Sequence, residues 1–273
     1  MSEEFVAPTI PALFDRIGPT LEAPIVLADP SAAMLRGFLA WGAADPEAVA
    51  PTHLLAREGT LKSTLRSFPT ASLAADLVEA DRLEVRYVAE VPTSSVVVDP
   101  ARLYVLLEGE TRAGALSTTD DDLVADVRAA CLDRFEGAEA FVLHTPGRQR
   151  VLATLENRLG ADRRETFEGL LAALDADDTG VDEVVISLLV AARHRDLLYD
   201  ISKWGEDVGL ASKATFSRKK SDLEAAGLLD TEAEPIDVGR PRLRLLLADW
   251  WLESAEPAEL LAETADRLAE ASA

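Results

Sequence analysis

GLASKATFSRKKSDLEAAGLL, residues 209–229, is the stretch on which the reading of the whole chain turns. Gly209 has no Cβ and enters left-handed backbone freely, which suits a turn ahead of a helix. Ser212 is placed to cap that helix, because its hydroxyl can accept from an early amide that has no partner inside the helix. Phe216, Leu223 and Gly227 recur at spacings of seven and four, a buried stripe on an α-helix. Gly227 fits the position just past the helix C-terminus. From Ala211 to Ser221 there are four cations, Lys213, Arg218, Lys219 and Lys220, and no acid. Turn, cap, stripe and charge together read as the turn and recognition helix of a winged helix-turn-helix.

The charge is unusual for this chain, whose formal net charge is −22. Lys and Arg neutralise phosphate, and short hydroxyl side chains reach phosphates or base edges. Ser212, Lys213, Thr215, Ser217, Arg218, Lys219 and Lys220 are therefore the expected DNA contacts. The bland alternative is an exposed basic helix face, or a helix that binds protein.

Working outward, residues 181–249 make the winged helix. One helix spans about 182–193, with Val185, Leu188, Leu189 and Ala192 inward. A second spans about 198–208, with Leu198, Ile201 and Val208 inward. After Leu229, DTEAEPIDVGRPRLRLLLAD supplies two strands and a loop, with Gly239, Arg240 and Pro241 at the wing tip. Arg242 and Arg244 alternate with Leu243 and Leu245, so the arginines share one strand face. Arg240 and Arg242 are the expected wing contacts, to phosphate or the minor groove. Between Asp182 and Ala248 there are ten bases and twelve acids, a net of −2 that leaves −20 for the rest. Residues 250–273 follow as a C-terminal helix with Leu260, Leu261, Thr264 and Leu268 on one side, for packing on its own chain or for dimerisation.

Upstream, residues 1–143 read as an α/β sensor-like domain with a small mixed sheet. PIVLAD, residues 24–29, is a short buried strand leading into a helix over about 30–41, and THLLA, residues 52–56, is a second strand. Helices over 58–67 and 70–80 follow. From Leu83 to Leu116 the period changes to two, and the short gaps between runs predict neighbouring antiparallel strands. A helix over about 119–135 begins with Asp120, Asp121 and Asp122, which suits its positive end, and buries Leu123, Val127, Ala130 and Cys131. HTPGR, residues 144–148, marks a turn. Residues 144–180 form a helical linker, with helices over 149–159 and 162–175.

Composition narrows the function classes. The chain of 273 residues is 48% apolar, enough for about two folded domains. A single Cys131 excludes an internal disulfide, and His53, His144 and His194 lack metal-ligand spacing, so no metal and no cofactor are expected. No apolar run is long enough to span a bilayer, and MSEEFVAP lacks the basic start of a signal peptide, so a cytoplasmic location is expected. Acids spread over the whole chain fit a protein that works in concentrated salt. No Walker loop, dinucleotide fingerprint or nucleophile elbow is present, and no enzyme is expected. Cys131 lies on an apolar helix side and reads as core. An effector such as a sugar phosphate or another small metabolite would favour a strand end, where Ser117, Thr118 and Thr119 sit, with Arg86 and Arg102 as phosphate partners.

GEDVGLASKATFSRKKSDLEAAGLL, the GRPRLRL wing and TSSVVVDPARLYVLLEGE upstream together resemble the haloarchaeal transcriptional regulator family TbsP. The N-terminal strands are loosely similar to the effector domain of TrmB-type regulators. The resemblance implies a regulator of central carbon metabolism genes that binds a promoter operator in double-stranded DNA. A homodimer is expected, since two half-sites add affinity. The alternative is a winged-helix protein-interaction module that does not bind DNA directly.

Overall fold

A computed structural model describes residues 3–91, 95–174, 181–235 and 241–271. The chain divides into two compact units, Met1–Gly147 and Arg148–Ala273.

The first unit runs β1 (Glu3–Ala7), α1 (Ile10–Ile17), β2 (Ile25–Ala28), α2 (Ala32–Ala44), β3 (Thr52–Arg57), α3 (Glu58–Thr64), α4 (Phe68–Glu79) and β4 (Leu83–Val88). It continues with β5 (Val96–Val98), β6 (Leu103–Glu108), β7 (Ala113–Thr118), α5 (Asp121–Glu136) and the two-residue β8 (Glu139–Ala140). All eight strands join one sheet in the order β1-β7-β6-β5-β2-β3-β4-β8. β2, β3 and β4 are parallel neighbours, with α2 and then α3 and α4 as the crossovers. The remaining pairs are antiparallel.

β2 is apolar throughout because helices cover both of its faces. Ile25 and Leu27 point into a core with Phe14, Leu35, Phe38 and Leu77. Val26 and Ala28 point the other way, into a second core with Val96, Val98, Val124 and Cys131 under α5. Full burial of each Val, Leu, Ile or Phe among them contributes roughly 1.5–3 kcal/mol. Beyond α5 the outer face of β6 and β7 is bare: Val105 and Leu116, directly opposed across the strands, are 40% and 49% exposed.

Three expectations for this unit are corrected. β4 does not adjoin β5; it pairs in parallel with β3, because the α3–α4 crossover returns the chain in the same direction. β5 instead pairs with β2, so the sheet is wider than the small one expected. Leu123 is exposed and Val124 takes its place in the core. Asp120 sets this register by capping α5, its carboxylate accepting from the Leu123 amide at 3.0 Å.

The second unit runs α6 (Arg148–Leu159), α7 (Ala161–Ala173), α8 (Glu183–Arg193), α9 (Leu198–Val208), α10 (Lys213–Ala225), β9 (Leu229–Glu234), β10 (Arg242–Leu247), α11 (Trp250–Ser254) and α12 (Pro257–Ala271). β9 and β10 form an antiparallel hairpin, and Leu197, ahead of α9, bridges to Arg244. α8 is buried on every side from Val184 to Ala192, because α7 covers the side turned away from α9, α10 and β10. α6 and α7, expected as a linker, thus contribute core to this unit. Thr154 of α6 accepts from the Trp204 indole N–H of α9 at 3.1 Å, and Phe167 of α7 meets the Trp204 ring edge-on. Arg163 of α7 grips Asp196 through two nitrogens, at 3.0 and 2.8 Å. α12 lays Leu260, Leu261 and Thr264 inward against α7 and α10.

Candidate nucleic-acid interface

α9 ends on Gly209, whose φ of +87° is left-handed, and the Leu210 amide returns to the Gly205 carbonyl at 2.8 Å. Three residues later Ser212 opens α10, its hydroxyl accepting from the Thr215 amide at 3.2 Å. Phe216 and Leu223 are fully buried and set the rotation of the helix. Gly205 lets the two helices close: a Cβ there would lie 2.3 Å from the Phe216 ring. With that rotation, Ser212, Ala214, Ser217, Arg218 and Ser221 are exposed and Thr215 is half-buried. Arg218 has no ion-pair partner among the described residues.

The other cations of the run do not share that face. Lys220 is nearly buried and holds Glu224 at 2.7 Å, while Glu224 also accepts from Thr231 at 3.0 Å, fastening α10 to β9. Lys219 reaches Asp182, the cap of α8, at 2.7 Å. Lys213 lies 3.3 Å from Glu206. On the wing strand Arg242 stands 4.0 Å from Asp200, and Arg244 turns back to Glu234 and to the Arg195 carbonyl. Arg240 and the wing tip lie outside the described residues.

One residue missed by the sequence reading ties these elements together. Tyr199, the second residue of α9, is 45% exposed. Its ring has the Arg242 guanidinium 4.3 Å and the Lys213 ammonium 5.7 Å from the centroid. α10, α9 and β10 thus meet at one aromatic side chain. The available signal was an aromatic on the polar side of an otherwise amphipathic helix, two positions before the inward Ile201.

The five residues expected to hold an effector do not form one site. Arg86 is on β4, near one edge of the sheet. It donates to the Phe135 and Glu136 carbonyls at 3.1 and 3.2 Å and stacks on the Phe135 ring, so it finishes the C-terminal end of α5. Arg102, just before β6, lies four strands away, and Ser117 and Thr118, at the adjoining end of β7, lie five. Arg102 donates to the Tyr104 hydroxyl at 3.0 Å, and Ser117 sits opposite Tyr104 with its hydroxyl buried and unpaired. Thr118 accepts from the Asp120 amide, and Thr119 is exposed beside it. Near β4 a cavity of about 730 Å³ is lined by Glu90, Asp133, Glu136 and Glu139 against one Arg134, a charge pattern unfavourable to phosphate. The Tyr87 phenol there donates to Glu139, which pushes its pKa up. Among the described residues no three metal ligands converge, and no helix is long and apolar enough to cross a membrane.

A family model described as transcriptional regulator TbsP-like, N-terminal, matches residues 3–146. Another, described as transcriptional regulator TbsP-like, C-terminal HTH domain, matches residues 147–265. None of the curated proteins compared matches the chain. Among solved structures, TrmBL2, an archaeal chromatin protein, is 18% identical at a TM-score of 0.36, over 50% of this chain and 54% of that one. The chain therefore spans about half the length of TrmBL2. Nuc from Salmonella typhimurium, a phospholipase D family member, is 9% identical at 0.38, over 52% of this chain and 97% of that one. At these scores neither likeness carries an argument.

Proposed function

The chain belongs to the TbsP-like family of transcriptional regulators, and we propose that it binds operator sequences in double-stranded DNA through the outer face of α10. The observation that carries this reading is that face: a run of short polar side chains around Arg218, with no acid before Asp222. Ser212, Thr215, Ser217 and Arg218 are the base-edge and groove contacts, since Arg pairs two acceptors of guanine and hydroxyls adapt to either base. Lys213 and Arg242 take backbone phosphate, with Arg240 on the wing. Lys219 and Lys220 reach DNA only by leaving Asp182 and Glu224.

Two copies bind as a homodimer on paired half-sites. The first unit senses a small metabolite, of sugar-phosphate type, at the strand ends that hold Arg102 and Ser117–Thr119. The target genes belong to central carbon metabolism, as the family resemblance suggests. The protein works in the cytoplasm, needs no cofactor and is not an enzyme.

A second reading, a winged helix that binds protein, draws support from the ion pairs that occupy Lys213, Lys219 and Lys220. Filter binding of the full chain to a mixed-sequence duplex separates the two. Retention of the duplex supports the DNA reading, and none at any salt concentration favours the protein partner.

A further inference from the structure

Lys213 and Arg242 come from different elements and converge on the Tyr199 ring, yet each already has an anion beside it. A phosphodiester carries one negative charge, as a carboxylate does. It would meet these two cations where Glu206 and Asp200 now stand. We propose that Tyr199, Lys213 and Arg242 form a clamp for backbone phosphate, and that Glu206 and Asp200 are its resident competitors. Phosphate contact at this clamp is then an exchange of anions. The proposal rests on the DNA-binding reading above and deepens it.

The exchange changes how binding responds to salt. A free cation that neutralises a phosphate releases a condensed counterion, and log K falls by about 0.9 per tenfold rise in salt for each contact. A cation that leaves a carboxylate does something different. The DNA gives up a counterion, and the freed carboxylate collects one from solution. Net ion release is near zero, so the contact adds affinity with little slope. The four side chains are 37–45% exposed, so a freed carboxylate meets solvent and its ions. Tyr199 is a positioning residue, holding the two cations at one spacing.

The test is a fluorescence-anisotropy titration of the full chain against a fluorescein-labelled mixed-sequence duplex, over a potassium chloride series. Glu206→Gln and Asp200→Asn should each steepen the plot of log K against log salt by about 0.9 and tighten binding at the low-salt end. Lys213→Gln alone should weaken binding at every salt concentration with the slope unchanged. In the Glu206→Gln background it should bring the shallow slope back. Tyr199→Leu should make the effects of Lys213→Gln and Arg242→Gln additive. Equal slopes for wild type and the Glu206→Gln/Asp200→Asn double variant, with DNA still bound, overturn the inference and leave the DNA reading standing. No duplex binding by any variant at any salt concentration overturns both.

Discussion

Gly205→Ala probes how tightly the recognition helix is seated. The added Cβ would stand 2.3 Å from Cζ of Phe216 and 2.4 Å from its Cε2. Ordinary carbon contacts lie at about 3.5–4.0 Å, so the ring must retreat by more than an ångström. Phe216 is fully buried and closely surrounded, which leaves it no such room. Overpacking of this kind costs about 1–3 kcal/mol, and so direct an overlap belongs at the upper end. Alanine in the interior of α9 returns up to about 1 kcal/mol of helix propensity. The net expectation is a loss of about 2 kcal/mol, together with weaker duplex binding as α10 tilts. Urea unfolding followed by tryptophan fluorescence reads the stability, with Trp204 as a buried reporter in this unit. Phe216→Leu, which shortens the obstructing side chain, should make the double variant less unstable than the two single losses added together. A Gly205→Ala chain at least as stable as wild type would refute the close α9–α10 contact.

Other outcomes follow from single side chains. Burial, then the neighbouring Arg163, holds the His194 imidazole below its ordinary pKa of 6.5, so the unfolded chain takes up this proton more readily than the folded one. That contribution to stability is complete above 6.5 and is lost as pH falls from there through the lowered folded value; His194→Gln should flatten this part of a plot of urea midpoint against pH. Cys131 is fully buried and burial pushes its thiol pKa up, so a thiol reagent such as Ellman's should react only in denaturant; rapid labelling of the native chain would contradict the packing of α5. Thr154→Val keeps the side-chain volume but removes the oxygen that accepts from the Trp204 indole, and should cost about 1–3 kcal/mol in thermal or urea unfolding; no loss would mean that α6 is not fastened to α9 as described.

What the sequence displays well is what neighbouring residues decide. The cap at Ser212, the turn at Gly209 and the Phe216–Leu223 stripe are local chemistry and are legible by eye. PIVLAD is legible for a related reason, since a strand covered on both faces has no polar side to confuse the pattern. Sheet order is not local. Nothing near Leu83 says that β4 returns beside β3, because the α3–α4 crossover decides it. β1 is a five-residue edge strand with two leading acids, too short for alternation to stand out. The α8 pattern suggests one inward side, but α7 buries the other, and that contact joins two separate helices.

The candidate interface shows the same boundary. A basic run is visible in one dimension, yet Lys219 is matched to Asp182, far upstream, and Lys220 to Glu224 on the same helix. A linear charge count treats both as free. Tyr199 gains its meaning only when β10 brings Arg242 over its ring. Arg86 and Arg102 look equivalent in the sequence and lie at separate parts of one sheet.

Selection from a random duplex pool by the full chain, repeated with Arg218→Ala, tests the outer face of α10 most directly. Wild type should enrich a defined sequence, and Arg218→Ala should lose about 1–3 kcal/mol on that sequence with a smaller loss on mixed DNA. No enrichment, or an equal loss on every duplex, would contradict a recognition helix that reads bases through Arg218.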